Sequence, residues 1–271
     1  MWLFCNWQDH IQGCRTQLMC LFIDAVFALC RYDGGFTSIQ VVAPTMNFAG
    51  NFKHIGNIDI AEFRNLVLQL TAEQWQQFSL RQERYEVHRD TQTIGLVYDL
   101  DFRHSHPTRL PTMEMFEDVL LPTLKMASAY YEETSAGKEF IQQFGLGYFV
   151  RATLVLLKAG CSIAEHQDCN FSLTHSHRIH LPIVTNDEVQ FHVGSETIGL
   201  REGELYEINN RRTHSVDNNG PDDRVHLILD YVMPGERCCC GMKHHPDTLC
   251  SPQACLETDR QNIPCTCYPE P

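Results

Sequence analysis

The chain has 271 residues, 43% of them hydrophobic and 20% charged, which is enough apolar material for one large core and too much for a disordered protein. Its net charge of −13 argues against a polyanion as the main partner, so neither nucleic acid nor an anionic membrane is expected. No run reaches the ~20 apolar residues that a membrane-spanning helix needs.

The first apolar run, Leu18 to Cys30, is too short to span and carries Asp24, with Arg15 as the only Lys or Arg before it. Residues 1–40 are therefore expected to form an N-terminal extension, helical along this run, and to make a poor signal peptide. Asp59 to Phe78 places Phe63, Leu66 and Leu70 on one stripe at helical spacing. Thr93 to Phe102 is β-branched and aromatic and predicts a strand. Met113 to Tyr131 predicts a second helix, kinked or broken at Pro122.

From Tyr148 onward the pattern changes to short strands set apart by turn signals: Tyr148 to Lys158, Arg178 to Val184, Gln190 to Val193, Glu204 to Ile208 and Arg224 to Val232. The fold expected is mainly β with flanking helices. Its core would be a double-stranded β-helix (a jelly roll, cupin-like) whose two sheets face each other around a pocket. The main domain is placed at 41–235, its core at 148–232, and a cysteine-rich tail at 236–271. Thirteen cysteines are present, none between Tyr32 and Gly160 and seven in the last 34 residues, so any disulfides would be confined to the tail. There, Cys240-x9-Cys250 and Cys255-x9-Cys265 form a twin spacing, interrupted by Pro246 and Pro264. Zinc binding with His244 and His245 matches no common finger, and a poorly ordered appendage is the plainer reading.

His166-Gln167-Asp168 offers two ligands two residues apart, which on an extended chain share one face. His214, after Glu204 to Thr213, can supply the third. Two imidazoles and one carboxylate form the facial triad of non-haem Fe(II) oxygenases, with three positions left open for a 2-oxo acid and dioxygen. His-x-Asp alone is a weak signal, since His88-Arg89-Asp90 repeats it. What strengthens the first is Arg224, beyond the turn-rich Ser215 to Asp223. A hairpin there would bring His214 and Arg224 opposite each other on neighbouring strands, with the guanidinium placed to bind the far carboxylate of 2-oxoglutarate. Arg178 and His180 share one strand face, opposite Ile179, Leu181 and Ile183. They either steady the dicarboxylate or belong to a polar outer face. His175 and His177 fall on the other parity, in a loop, and are read as solvated.

These residues, in this order, resemble the aspartyl/asparaginyl β-hydroxylase family of 2-oxoglutarate oxygenases, which includes bacterial L-proline hydroxylases. The resemblance covers about residues 148 to 232. It rests on Ala159-Gly160, His166-x-Asp168, Arg178-x-His180-Leu181, Phe191-His192-Val193-Gly194, Glu202-Gly203-Glu204, Asn209-Asn210, Thr213-His214-Ser215-Val216 and Arg224-Val225-His226-Leu227. It implies Fe(II) held by His166, Asp168 and His214, and 2-oxoglutarate bound by Arg224 with Arg178 and His180 as accessory contacts. Ascorbate is a compatible auxiliary. The reaction implied is hydroxylation of an amino-acid carbon, in a free amino acid or in a peptide or protein. The animal enzymes of the family lack the carboxylate ligand and carry a serine where this chain has Val155, so Asp168 places it nearer the proline-hydroxylase and bacterial branch. The rival reading is a non-catalytic metal-binding β-sandwich serving as a sensor or binding module. A dioxygenase needing no 2-oxo acid is disfavoured, because it would have no dicarboxylate for Arg224 to hold. Substrate, oligomeric state and compartment stay open.

Overall fold

The computed structural model describes residues 50–100, 107–168, 171–174 and 176–234, with Met46, Phe48 and Glu236 beside them, and the backbone of five strands nearer the ends. It divides into two compact units, residues 1–45 and 46–271. In the first, β1 (Met19–Ile23), β2 (Phe27–Tyr32) and β3 (Gly35–Gln40) form an antiparallel sheet where a helix was expected. Strands β2 and β3 pair from Phe27 opposite Gln40 to Tyr32 opposite Gly35.

The second unit opens with β4 (Phe52–Asn57), followed by α1 (Ala61–Leu68) and α2 (Ala72–Trp75). The single helix expected over 59–78 is divided because Thr71 starts a new one. Its hydroxyl accepts from Gln74 N, and the Gln74 side chain accepts from Thr71 N. Then come α3 (Leu80–Arg84), a 3-10 turn at Glu86–His88, β5 (Thr91–Tyr98) and β6 (Thr108–Arg109). Helix α4 (Met113–Glu132) runs unbroken through Pro122, held by Phe116, Leu120, Thr123 and Ala127 on its buried face, and α5 (Ser135–Phe144) follows. No described helix is long and apolar enough to cross a membrane.

Eight strands make the core: β7 (Tyr148–Leu157), β8 (Ser162–His166), β9 (His177–Val184), β10 (Val189–Val193), β11 (Glu196–Ile198), β12 (Glu204–Ile208), β13 (His214–Asn218) and β14 (Arg224–Val232). One sheet contains β12-β9-β14-β7, extended by β4 at one edge and by β5 and β6 at the other; the second is β11-β10-β13-β8. Counted from β7, the strand orders are sixth-third-eighth-first and fifth-fourth-seventh-second. Antiparallel pairing in that order is a jelly roll.

The side-chain parity of β14 organises the interior. Val225, Leu227, Leu229 and Tyr231 join the larger apolar core with helix residues such as Phe63, Phe116 and Leu120. Leu227 lies in register with both Leu154 and Leu181. The alternate residues Arg224, His226, Ile228 and Asp230 belong to the opposite face. A smaller core of Leu157, Ile163, Val189, Phe191, Ile208 and Val216 joins the two sheets. The tail spacing of cysteines lies outside the described residues, apart from the backbone of β15 (His244–His245) and β16 (Thr248–Leu249).

Candidate metal centre

His166 ends β8 and His214 begins β13, and the two are cross-strand partners with ring centroids 4.3 Å apart. Asp168, two residues past the end of β8, brings Oδ2 to 3.8 Å from His214 Nε2. One candidate ligand atom from each of the three lies within 4.8 Å of the others, and no second such group occurs among the described residues.

The backbone sets the imidazoles. His166 Nδ1 lies 2.7 Å from Ala164 O, and His214 Nδ1 lies 2.9 Å from Arg212 O. A carbonyl only accepts, so each Nδ1 carries the proton and each Nε2 lone pair is left for a cation. Burial, reinforced by His166, lowers the His214 pKa to about 4, so the ring is neutral at pH 7. Burial alone would raise the Asp168 carboxyl, but Arg178, then His214 and His166, hold it below the usual carboxylate range. Its Oδ2 also accepts from Asn210 Nδ2 at 3.3 Å.

Two neutral imidazoles and a carboxylate anion are a donor set that fits a borderline divalent cation such as Fe(II). The same interior contains an arginine in want of an anion. Arg224 is 1% exposed, donates through Nη2 to His226 Nδ1 at 2.6 Å, and leaves Nε without a partner. No described carboxylate pairs with it. Burial, with Arg81 nearby, lowers its pKa to about 9, still charged at neutrality. A cavity joins Arg224 and His180 to His166 and His214, with Val155 and Phe191 in its wall. A buried cation a short way from a metal site suits a ligand that is a chelator at one end and a carboxylate at the other.

His214 and Arg224 do not face each other across a hairpin, as expected from the sequence. Strand β13 pairs with β8 and β10, whereas β14 pairs with β7 and β9, so Asn219 turns the chain from one sheet to the other. Asn218 fixes that crossing: its Nδ2 donates to Leu157 O, Lys158 O and Asp222 O. The two residues reach one cavity from facing sheets.

Arg178 and His180 point inward, as the alternation with Ile179, Leu181 and Ile183 suggested, and both line the cavity. All three Arg178 guanidinium nitrogens are already engaged. Nε and Nη2 donate to Asp230 at 2.9 and 3.1 Å, and Nη1 donates to Asp168 Oδ2. His177, read as solvated, is instead 1% exposed. Its Nδ1 lies 2.8 Å from Glu207 and its Nε2 lies 2.7 Å from Glu236. It begins β9, where those carboxylates need a buried donor. His175 lies outside the described residues.

Three contributors were not identified from the sequence. Asn210 had appeared only as part of a resemblance. Arg81 on α3 and His88 in the 3-10 turn line the cavity, and the His88 ring meets His166 edge-on at 5.5 Å. His88 had looked like the start of a decoy motif. Asp90 is indeed elsewhere, paired with Arg89, but His88 packs beside the site. No local pattern marks either residue, because the packing of the 3-10 turn against β8, and of α3 against that turn and β5, brings them in.

A jelly roll with two imidazoles and a carboxylate turned into its interior has the donor arrangement of a mononuclear facial triad. The chain belongs to the aspartyl/asparaginyl β-hydroxylase family, whose model matches residues 49–234. No curated protein matches it. Among solved structures it is similar to an oxidoreductase of the 2OG-Fe(II) oxygenase family from Burkholderia pseudomallei, with 11% identity, TM-score 0.43, and coverage of 67% of this chain and 93% of that one. It is also similar to a prolyl-4-hydroxylase from Pseudomonas putida, with 10% identity, TM-score 0.42, and coverage of 69% and 95%. For the viral collagen prolyl hydroxylase of Paramecium Bursaria Chlorella virus-1 the identity is 7%, the TM-score 0.42 and the coverage 68% and 96%.

Proposed function

We propose that the chain is an Fe(II)/2-oxoglutarate-dependent hydroxylase of an amino-acid carbon, with His166, Asp168 and His214 as metal ligands and Arg224 as the cosubstrate anchor. The observation that carries this reading is the buried Arg224 guanidinium, without a described counter-anion, in the cavity that also contains the two histidines. A fully buried cation is costly unless an anion completes it.

Bound Fe(II) would supply the oxidative chemistry: dioxygen and 2-oxoglutarate are consumed, one oxygen atom enters the substrate C–H bond, and succinate and carbon dioxide leave. The chain's own groups bind and orient. Ala164 O and Arg212 O fix the tautomers of the two histidines. Arg178, anchored by Asp230, and Asn210 together hold the Asp168 carboxylate in place. Arg178 thus acts chiefly as a positioning residue, while His180, beside Arg224 and packed on Phe191, is the accessory contact nearer the cosubstrate. Val155, Ile163 and Phe191 keep the cavity wall dry, which strengthens every charge interaction inside it.

The test is succinate release by the full chain with Fe(II), 2-oxoglutarate and a mixture of amino acids and peptides. Arg224→Gln should raise the KM for 2-oxoglutarate by about tenfold to a hundredfold, the worth of a charge-assisted bond. An unchanged KM would remove Arg224 from the site. Tight metal binding without any succinate would favour the sensor or binding module.

A further inference from the structure

Three arginines are buried among the described residues, Arg151, Arg178 and Arg224, and their partners differ in kind. Arg151 forms an ion pair with Asp99, and Arg178 forms ion pairs with Asp168 and Asp230. Arg224 has an imidazole instead. Its Nη2 lies 2.6 Å from His226 Nδ1, and no described carboxylate is bonded to it.

The sequence of β14 produces this difference. Arg224, His226, Ile228 and Asp230 alternate onto one face of the strand, while Val225, Leu227 and Leu229 turn to the apolar core. Asp230 is the acid of that face, but an extended chain sets it about 20 Å from Arg224. Both of its oxygens accept from Arg178, at 2.9 and 3.1 Å. His226 is the next inward side chain after Arg224 and is fully buried. Its partners in register are Val155 on β7 and Pro182 on β9, so neither neighbouring strand supplies an acid at this level.

A guanidinium has only donors, so His226 Nδ1 must accept, and the ring is neutral with its proton on Nε2. Burial, then the adjacent Arg224, holds the His226 pKa well below its ordinary value, which agrees with a ring that stays neutral. His180 Nδ1 stands 3.5 Å from the same nitrogen. The guanidinium carbon lies over the Phe191 ring, 6.0 Å from its centre. One corner of the fork is thus tied to His226, one face is set by Phe191, and Nε has no partner.

We propose that His226 is a positioning residue for Arg224, and that its neutrality keeps the charge of the arginine for an incoming carboxylate. The assignment rests on the oxygenase reading above and deepens it, because it names what makes the anchor selective for a 2-oxo diacid. An acid at position 226 would orient the guanidinium equally well, but it would also neutralise it. The far carboxylate of 2-oxoglutarate would then meet an ion pair with no net charge. An aliphatic side chain would leave the charge and lose the orientation on which a planar, two-oxygen contact depends. A neutral acceptor meets both conditions. Arg178 is the contrasting case, fixed by two acids and left with no positive charge to offer.

The test is binding, read without turnover. The full chain is loaded with Fe(II) under nitrogen and dialysed to equilibrium against 2-oxoglutarate or 2-oxopentanoate. The second acid keeps the chelating end and has a methyl group in place of the far carboxylate. Retained acid and iron are measured in the same samples. The wild type should prefer the diacid by about a hundredfold. His226→Asn and His226→Asp both place an oxygen where the imidazole has Nδ1, and they differ chiefly in charge. The first should keep the preference within about threefold and the second should lose about tenfold or more of it, at equal iron content. His226→Leu should also lose about tenfold. His226→Asp matching His226→Asn, or His226→Leu matching the wild type, would overturn the assignment. A further reading needs no variant to fold: the nitrogen-15 spectrum of histidine-labelled wild type at pH 7, with zinc in place of iron. It should show His226 as a neutral ring protonated on Nε2, and a charged ring or one protonated on Nδ1 would overturn the assignment too. A wild type that does not retain 2-oxoglutarate sinks the oxygenase reading and this one together, and one that retains both acids equally removes Arg224 as the anchor and His226 with it. A preference for the diacid that His226→Asp shares sinks only the role of His226.

Discussion

Both ring nitrogens of His177 face carboxylates, Glu207 on one side and Glu236 on the other, and carboxylates accept, so both nitrogens must donate and the ring is an imidazolium. Burial would depress its pKa, but Glu236 and Glu207 more than reverse this and raise it to about 9. A folded-state pKa above the unfolded value of 6.5 stabilises the fold fully below pH 6.5, and that contribution is lost as pH rises through about 9. Urea midpoints measured from pH 6.5 to 9.5 should therefore fall for the wild type, and fall less for His177→Gln. Identical slopes would show that the buried triad carries no such linkage. The sequence placed His177 in a solvated loop because nothing local reveals two glutamates from distant segments. Arg178 and His180 were legible for the opposite reason: strict alternation with Ile179, Leu181 and Ile183 fixes the face of a strand without knowledge of its partners.

At the scale of elements, the long apolar strands were readable and the short polar ones were not. Strand β14 was expected at the bounds observed, because a nine-residue run with six Val, Leu, Ile and Tyr residues between turn signals has little alternative. Strands β8 and β13 went unrecognised. Each is five residues long, with Ile163 in one and Val216 in the other as the buried aliphatic side chain, and each becomes a strand through its ladders. The turn after β13 was recognised as a turn but assigned to the wrong joint, since turn residues do not say whether the next strand stays in the sheet. Asn218 decides it with three backbone carbonyls. Asn218→Ala should cost about 1–3 kcal/mol, because it leaves buried carbonyls unpaired. Denaturant unfolding of the variant checks this, and a cost near zero would mean that the crossing is held by other contacts.

For the whole molecule, the jelly roll places one core between its sheets and a larger one beneath the helices, and the strands between them carry apolar groups outward and charged groups inward. That arrangement gathers Arg151, Arg178 and Arg224, all buried, and the half-buried Arg81 around one interior; Asp99 neutralises the first, Asp168 and Asp230 the second, and Arg224 has no described carboxylate beside it. The triad was accessible from motif order along the chain. The residues that complete the interior from the N-terminal side, Arg81 and His88, appear only when the 3-10 turn packs on β8 and α3 packs on that turn and on β5.

The central claim is that residues 166, 168 and 214 bind one catalytic metal ion. It is tested most directly by comparing wild type and Asp168→Ala in the same assay, with bound iron determined on anaerobically loaded protein and succinate released on admitting air with 2-oxoglutarate. Bound iron and steady succinate release are expected in the wild type, and loss of both in the variant, with its CD spectrum unchanged. Equal iron content and equal succinate release in the two proteins would contradict it.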